Sequence, residues 1–227
     1  MSKTTMKPPK VETSYFVSSD GVKIAYNKLS GAEPGIIFFG GFASDMEGTK
    51  ALALQDYAMQ KGQAFLRFDY RGHGKSSGVF TDGNIGKWLS DCLAVLDNLT
   101  QGSQILIGSS MGGWLVLLTA KERPKRVGGI LGIASAPDFT KNLMWDTFSN
   151  KAKKIIKSGK IYKLKNEYDS FYPIGKSLIE GGNKHLILHK KKNCDFPLRL
   201  FHGLKDDVVP IKYSYLLSKT LVSKDCL

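Results

Sequence analysis

Residues 105–118 read ILIGSSMGGWLVLL. The opening ILI is short, apolar and bounded by glycine, the pattern of a buried strand. From Met111 onward the composition suits a helix, which Pro124 stops. Between the two, Gly108-Ser109-Ser110-Met111-Gly112 fits G-x-S-x-G. Five residues of this kind are weak alone, because glycine and serine are common. The setting adds weight: strand, sharp turn, helix is the context the motif requires. Such a turn lifts Ser110 above the strand ends at a helix N-terminus, making it the candidate nucleophile. The backbone N–H of Met111 faces the same space and is a candidate oxyanion donor. Gly108 and Gly112 leave room where strand and helix backbones approach closely. The competing interpretation is a Gly/Ser turn with no chemistry.

The flanking sequence alternates strand and helix signals. TSYFVS and VKIAYNKL surround Asp20-Gly21, a two-residue turn signal, and predict an antiparallel hairpin. GIIFFGG is a buried strand, TKALALQDYAMQK a helix ending at Gly62, and AFLRFDY another strand. NIGKWLSDCLAVLDNL has an apolar stripe at helical spacing. VGGILGIASAP and FPLRLFHG are further strands, and YSYLLSKTL is helical. Alternation of this kind predicts an α/β fold, a mainly parallel sheet with helices on both faces. Residues 140–193 break the rhythm and read as a small cap inserted over the C-terminal ends of the strands. Residues 1–10 read as a disordered tail, and 11–227 as one domain.

A second oxyanion donor is expected from the loop after the third strand, FFGGFASDM, where the N–H of Phe42 is the candidate. A plain glycine turn is the alternative. FFGGF (38–42), FDYRGHGKSSG (68–78), IGSSMGGW (107–114) and LFHGLKDDVVP (200–210) occur in one order along the chain. Together they resemble the alpha/beta hydrolase superfamily over the whole length. The small cap and the helix GSSMGGWL…A…RP most resemble its acyl-protein thioesterase and acyl-glucuronide esterase group. The resemblance implies a Ser–His–Asp triad with Ser110 as nucleophile and Asp206 as acid. Asp207 is one place off the pattern, and Asp138 after an earlier strand ranks third. It implies no cofactor and no metal ion.

The base is the difficulty. In this fold the triad runs Ser, Asp, His along the chain, with the histidine about 25 to 35 residues after the acid. Only 21 residues follow Asp206, and none is histidine. The final LVSKDCL reads as the approach to a last strand, so that strand and its helix are expected to be missing. Four histidines stand elsewhere. His73 and His202 are expected to be structural, and His185 and His189 to be solvated. A chain without its base keeps an alcohol's reactivity at Ser110; losing a triad member costs about 10⁴ to 10⁶ in kcat. The expectation is therefore an esterase or thioesterase with impaired turnover. The rival is a non-catalytic remnant or acyl-binding module on the same fold. An incomplete sheet also predicts an open edge and self-association.

Composition sets the remaining bounds. The net charge is +13, yet residues 141–192 hold 13 Lys, no Arg and 4 acids, so +9 belongs to the cap. If it covers the site, its field favours anionic acyl esters or thioesters as the small-molecule substrate. Surface lysine with no such role is the alternative. Nucleic acid is not expected as a partner, since no nucleic-acid fold signature accompanies the lysines. As a helix, NKAKKIIKSGKI could lie on an anionic membrane, though Gly159 weakens it. No apolar run is long enough for a transmembrane segment, and the N-terminus has no apolar core of a secretory signal. Cys92, Cys194 and Cys226 are widely spaced and odd in number. They read as reduced thiols, hence a cytoplasmic protein.

Overall fold

The computed structural model describes residues 11–166, 169–223 and 225–227. The expected tail, 1–10, lies outside the described residues. β1 (Ser14–Val17) and β2 (Lys23–Leu29) form the expected antiparallel hairpin. The connection is longer than the Asp20-Gly21 signal implied. The Ser18 hydroxyl donates to Asp20 Oδ1 at 2.6 Å and accepts from the Val22 N–H at 3.2 Å. Those local bonds fold residues 18–22 into the turn before the ladder begins.

β3 (Ala32–Phe39), β4 (Gln63–Phe68), β5 (Gln104–Ser109), β6 (Val127–Ile133) and β10 (Leu198–Phe201) complete a seven-stranded sheet. Its order is β1-β2-β4-β3-β5-β6-β10, with β1/β2 and β2/β4 antiparallel and the rest parallel. Strand alternation divides the apolar side chains between two cores. Ile37, Phe39 and Leu106 join α2 (Ile85–Leu99) and α3 (Met111–Glu122) on one face. Ile36, Phe38 and Ile107 join α1 (Thr49–Lys61) on the other. α1 ends at Gly62 in the left-handed region, φ 63°; α2 starts at Asn84, whose side chain accepts from the Lys87 N–H at 3.0 Å.

The cap follows β6. It runs through one π turn (Thr140–Met144), α4 (Asn150–Lys157), the hairpin β7 (Tyr162–Lys165)/β8 (Phe171–Ile174) and α5 (Lys176–Asn183). After it come β9 (Lys192–Cys194), β10, α6 (Lys212–Thr220) and β11 (Leu221–Ser223), with β11 parallel to β9. Residues 225–227 then run beside β10: Leu198 N–H donates to Asp225 at 2.9 Å and Leu200 N–H to Leu227 at 2.8 Å. Among the described residues, no helix is long and apolar enough to cross a membrane.

Candidate active site

Ser110 is the turn between β5 and α3, and its backbone sits at φ 53°, ψ −116°. An L-residue there is strained by about 1–3 kcal/mol, so the surroundings must impose the conformation. They do so through main-chain bonds. The Ser110 N–H donates to Ile133 at 3.0 Å, and its carbonyl accepts from Gly113 at 2.9 Å and Ala136 at 3.0 Å. The glycines are needed for the reason the motif suggests. A Cβ on Gly108 would strike the Gly112 carbonyl, and one on Gly112 would strike the Phe39 carbonyl. The Ser110 hydroxyl forms no hydrogen bond among the described residues.

A cleft of about 540 Å³ brings Ser110 together with Gly41, Phe42, Ala43, Asp206 and Tyr172. Met111 lies beneath, its side chain fully buried at the start of α3. The loop after β3 is pressed against the serine: a Cβ on Gly41 would stand 3.6 Å from Ser110 Cβ. Three supports hold that loop. Tyr70 OH donates to the Gly40 carbonyl at 3.1 Å, and the Ala43 N–H donates to His73 Nε2 at 3.3 Å. Asp69 accepts from the Met46 N–H at 2.6 Å and the Lys75 N–H at 2.8 Å. The 68–78 loop is anchored in turn by Arg71, whose guanidinium meets the fully buried Asp91 at 2.7 Å.

Of the three candidate acids, Asp206 is the one on the cleft wall. Its Oδ1 accepts from Val208 and Val209 N–H groups at 3.0 and 2.8 Å, and Oδ2 stands 3.8 Å from His202 Nε2. Asp207 is exposed. Asp138, ranked third among the candidate acids, is placed away from the cleft wall. It is buried and accepts from Ile187 and Leu188 N–H groups at 2.9 and 3.1 Å, tying the end of the cap to the end of β6. Burial raises its pKa despite those bonds.

The histidines are occupied elsewhere. His73 is buried among Tyr70, Phe80 and Trp88, with Nδ1 against the Arg71 carbonyl at 3.3 Å. Burial pushes its pKa down to about 4, so the ring is neutral at pH 7, donating from Nδ1 and accepting at Nε2. His202 meets Ser214 Oγ at 2.7 Å and the Val209 carbonyl at 2.6 Å. Both therefore have the structural parts expected of them. His185 is half-buried, not solvated: Nδ1 meets the Gly181 carbonyl at 2.7 Å, and its own carbonyl accepts from Trp114 Nε1 at 3.1 Å. His189 is exposed.

The cap reaches the cleft through its hairpin, with Asn166 and Tyr172 on the wall, and neither was singled out from the sequence. Among the described residues its lysines do not line the wall, which favours the alternative of surface lysines with no part in the entrance; the wall's lysine is Lys50 from α1. Strand alternation is the reason. In β7, Tyr162 and Leu164 turn inward while Lys163 and Lys165 are exposed. Phe42 packs against Phe80, Phe139 and Tyr172 at ring separations of 5.1, 5.5 and 5.4 Å, which gives the cleft an aromatic side.

Comparison with known proteins agrees with this architecture. Residues 32–170 match the family described as serine aminopeptidase, S33. The human protein named palmitoyl-protein thioesterase ABHD10, mitochondrial, is 38% identical over 218 residues, 95% of this chain and 71% of that one. The solved structure of mouse alpha/beta hydrolase domain-containing protein 10 superposes with a TM-score of 0.87 at 36% identity, covering 95% of this chain and 87% of the other. A solved structure from Agrobacterium vitis S4 gives 0.90 at 33% identity, with 96% and 88% covered. On these matches the chain belongs to the alpha/beta hydrolase superfamily, with ABHD10-type thioesterases among its relatives.

Proposed function

We propose that this chain is a serine hydrolase of the esterase or thioesterase type. Ser110 Oγ is the nucleophile toward an acyl carbonyl, the Met111 and Phe42 N–H groups receive the oxyanion, and Asp206 is the carboxylate that would orient a histidine base, which these 227 residues do not supply after it. The observation that carries the reading is the strained Ser110 backbone, held at the mouth of a cleft that also contains Phe42 and Asp206. Strain that the fold enforces on a residue capable of nucleophilic chemistry is characteristic of functional sites. The aromatic side of the cleft suits an apolar acyl chain, and the name of the mammalian relatives, palmitoyl-protein thioesterase, supports a thioester. Anionic selectivity draws no support from the wall, whose lysine is Lys50 alone among the described residues. The three unpaired cysteines support a reducing compartment such as the cytoplasm, while the curated relatives are named as mitochondrial.

Turnover by the 227 residues alone is expected to be slow. His73 and His202 have both ring nitrogens engaged, and His185 is bonded to its own helix. The same observation favours an acyl-binding module as the second reading. Fluorophosphonate labelling with peptide mapping separates the two, with Ser110→Ala as control. Labelling at Ser110 supports an activated nucleophile. Folded protein that stays unlabelled, yet binds a non-hydrolysable acyl thioether, would establish the binding module instead.

A further inference from the structure

The β7/β8 hairpin has two chemically distinct faces. The register sets Tyr162 opposite Ile174 and Leu164 opposite Tyr172, and these four side chains turn toward the core and the cleft. The other face has Lys163 opposite Pro173 and Lys165 opposite Phe171. Ile161, one alternation earlier, lies on the same side, its Cδ1 over Gly175. Phe171 is 54% exposed and Ile161 43% exposed. Beside them Lys160 and Lys163 are exposed and form no ion pair among the described residues. The adjoining α4, which contacts β7, adds the exposed Lys151, Lys154 and Lys157, the last 5.8 Å from the Trp145 ring. Lys165 alone of this face is paired, with Asp169 at 2.9 Å.

Exposed apolar side chains set among unpaired ammonium groups fit one kind of partner well, an interface that is acidic on top and apolar just beneath. We infer that this face of the cap docks on an anionic lipid bilayer. Phe171 and Ile161 enter the headgroup layer, and the lysines meet the acidic headgroups. A nucleic acid fits less well: residues 141–192 contain no Arg, and it has no apolar layer to receive Phe171 and Ile161. The hairpin also connects this surface to the site. Tyr172, next to Phe171 but on the inner face, lines the Ser110 cleft. Phe171 lines an adjoining cleft with Phe80 and Pro173. A lipid-borne acyl group could thus pass from the bilayer to Ser110; that last step rests on the serine hydrolase reading, whereas the docking does not.

Vesicle flotation of the full 227-residue chain tests this. The expected result is flotation with phosphatidylcholine vesicles containing about 30 mol% phosphatidylglycerol, and none with phosphatidylcholine alone. Phe171→Ser combined with Lys163→Glu should lower the bound fraction about tenfold, with unchanged circular dichroism. Lys121→Glu with Lys125→Glu removes more charge, but Lys121 is at the far end of α3, about 17 Å from Ser110 along the helix, and Lys125 is in the turn beyond it. That pair should leave flotation intact. Ser110→Ala should float like the parent, so failed docking and failed hydrolase chemistry give separate results. Equal flotation with neutral vesicles, equal loss in the Lys121/Lys125 pair, or DNA binding without flotation would overturn the inference.

Discussion

Ser110 owes its position to backbone neighbours, because its hydroxyl bonds to nothing among the described residues. Gly112 shows how little slack there is, since an added Cβ would meet the carbonyls of Phe39 and Gly40. Gly112→Ala should therefore cost about 3 kcal/mol, read as a lower urea midpoint with unchanged slope. A wild-type midpoint would mean that β3 yields more readily than its hydrogen bonding suggests. His73 makes a pH-dependent contribution at the same scale. Its pKa is about 4 when folded against 6.5 for the free side chain, so the unfolded state binds the extra proton between those values. Its contribution is complete above pH 6.5 and is lost as pH falls toward 4, about 3 kcal/mol in all. Asp69, Asp91 and Asp138 act with the opposite sign just above pH 3.8, because burial raises them. His73→Gln should flatten the acid limb of a stability-versus-pH curve; an unchanged limb would assign it to other groups.

Elements were legible in the sequence to the extent that their periodicity was local. α1, α2 and the parallel strands follow from apolar spacing and, for α1, from Gly62, all read within a few residues. The β7/β8 hairpin was hidden, because four-residue strands containing lysines and Pro173 give a period too short to separate from a weak helix. The part played by Asp138 was not legible for a different reason. Its partners Ile187 and Leu188 are some fifty positions away, and its backbone sits at φ 57°, which no local pattern announces. In the site, Ser110 was legible because its motif is contiguous, whereas Tyr172 arrives only through the fold of the cap. Asp138→Ala should leave the Ile187 N–H buried and unpaired, at about 1–3 kcal/mol. Hydrogen exchange over residues 185–192 should accelerate while β5 and β6 stay protected, and Asp138→Asn, which keeps an acceptor and tolerates the left-handed backbone, should restore much of the protection. Uniform acceleration would mean that the cap and sheet open as one unit.

Over the whole molecule, the two sheet faces are unequally covered. α2, α3 and the cap bury one face deeply. α1 covers the other only in part, leaving Ile105, Leu131 and Ile133 half-buried, with Phe201 57% exposed on β10. Such a surface predicts self-association that grows with concentration. Sedimentation velocity should show it, and Phe201→Lys should suppress it; a monomer at every concentration would show that residues 225–227 protect the edge well enough. The clamp on Ser110 has a different consequence. Every main-chain partner that fixes this residue lies between Ile133 and Ala136 or within α3 itself. The cap and the sheet edge contribute none. Among related chains, entrance, surface and edge are therefore free to diverge while the turn stays rigid, and a lineage that lost its base would keep a preformed cradle into which one correctly placed imidazole could be reintroduced.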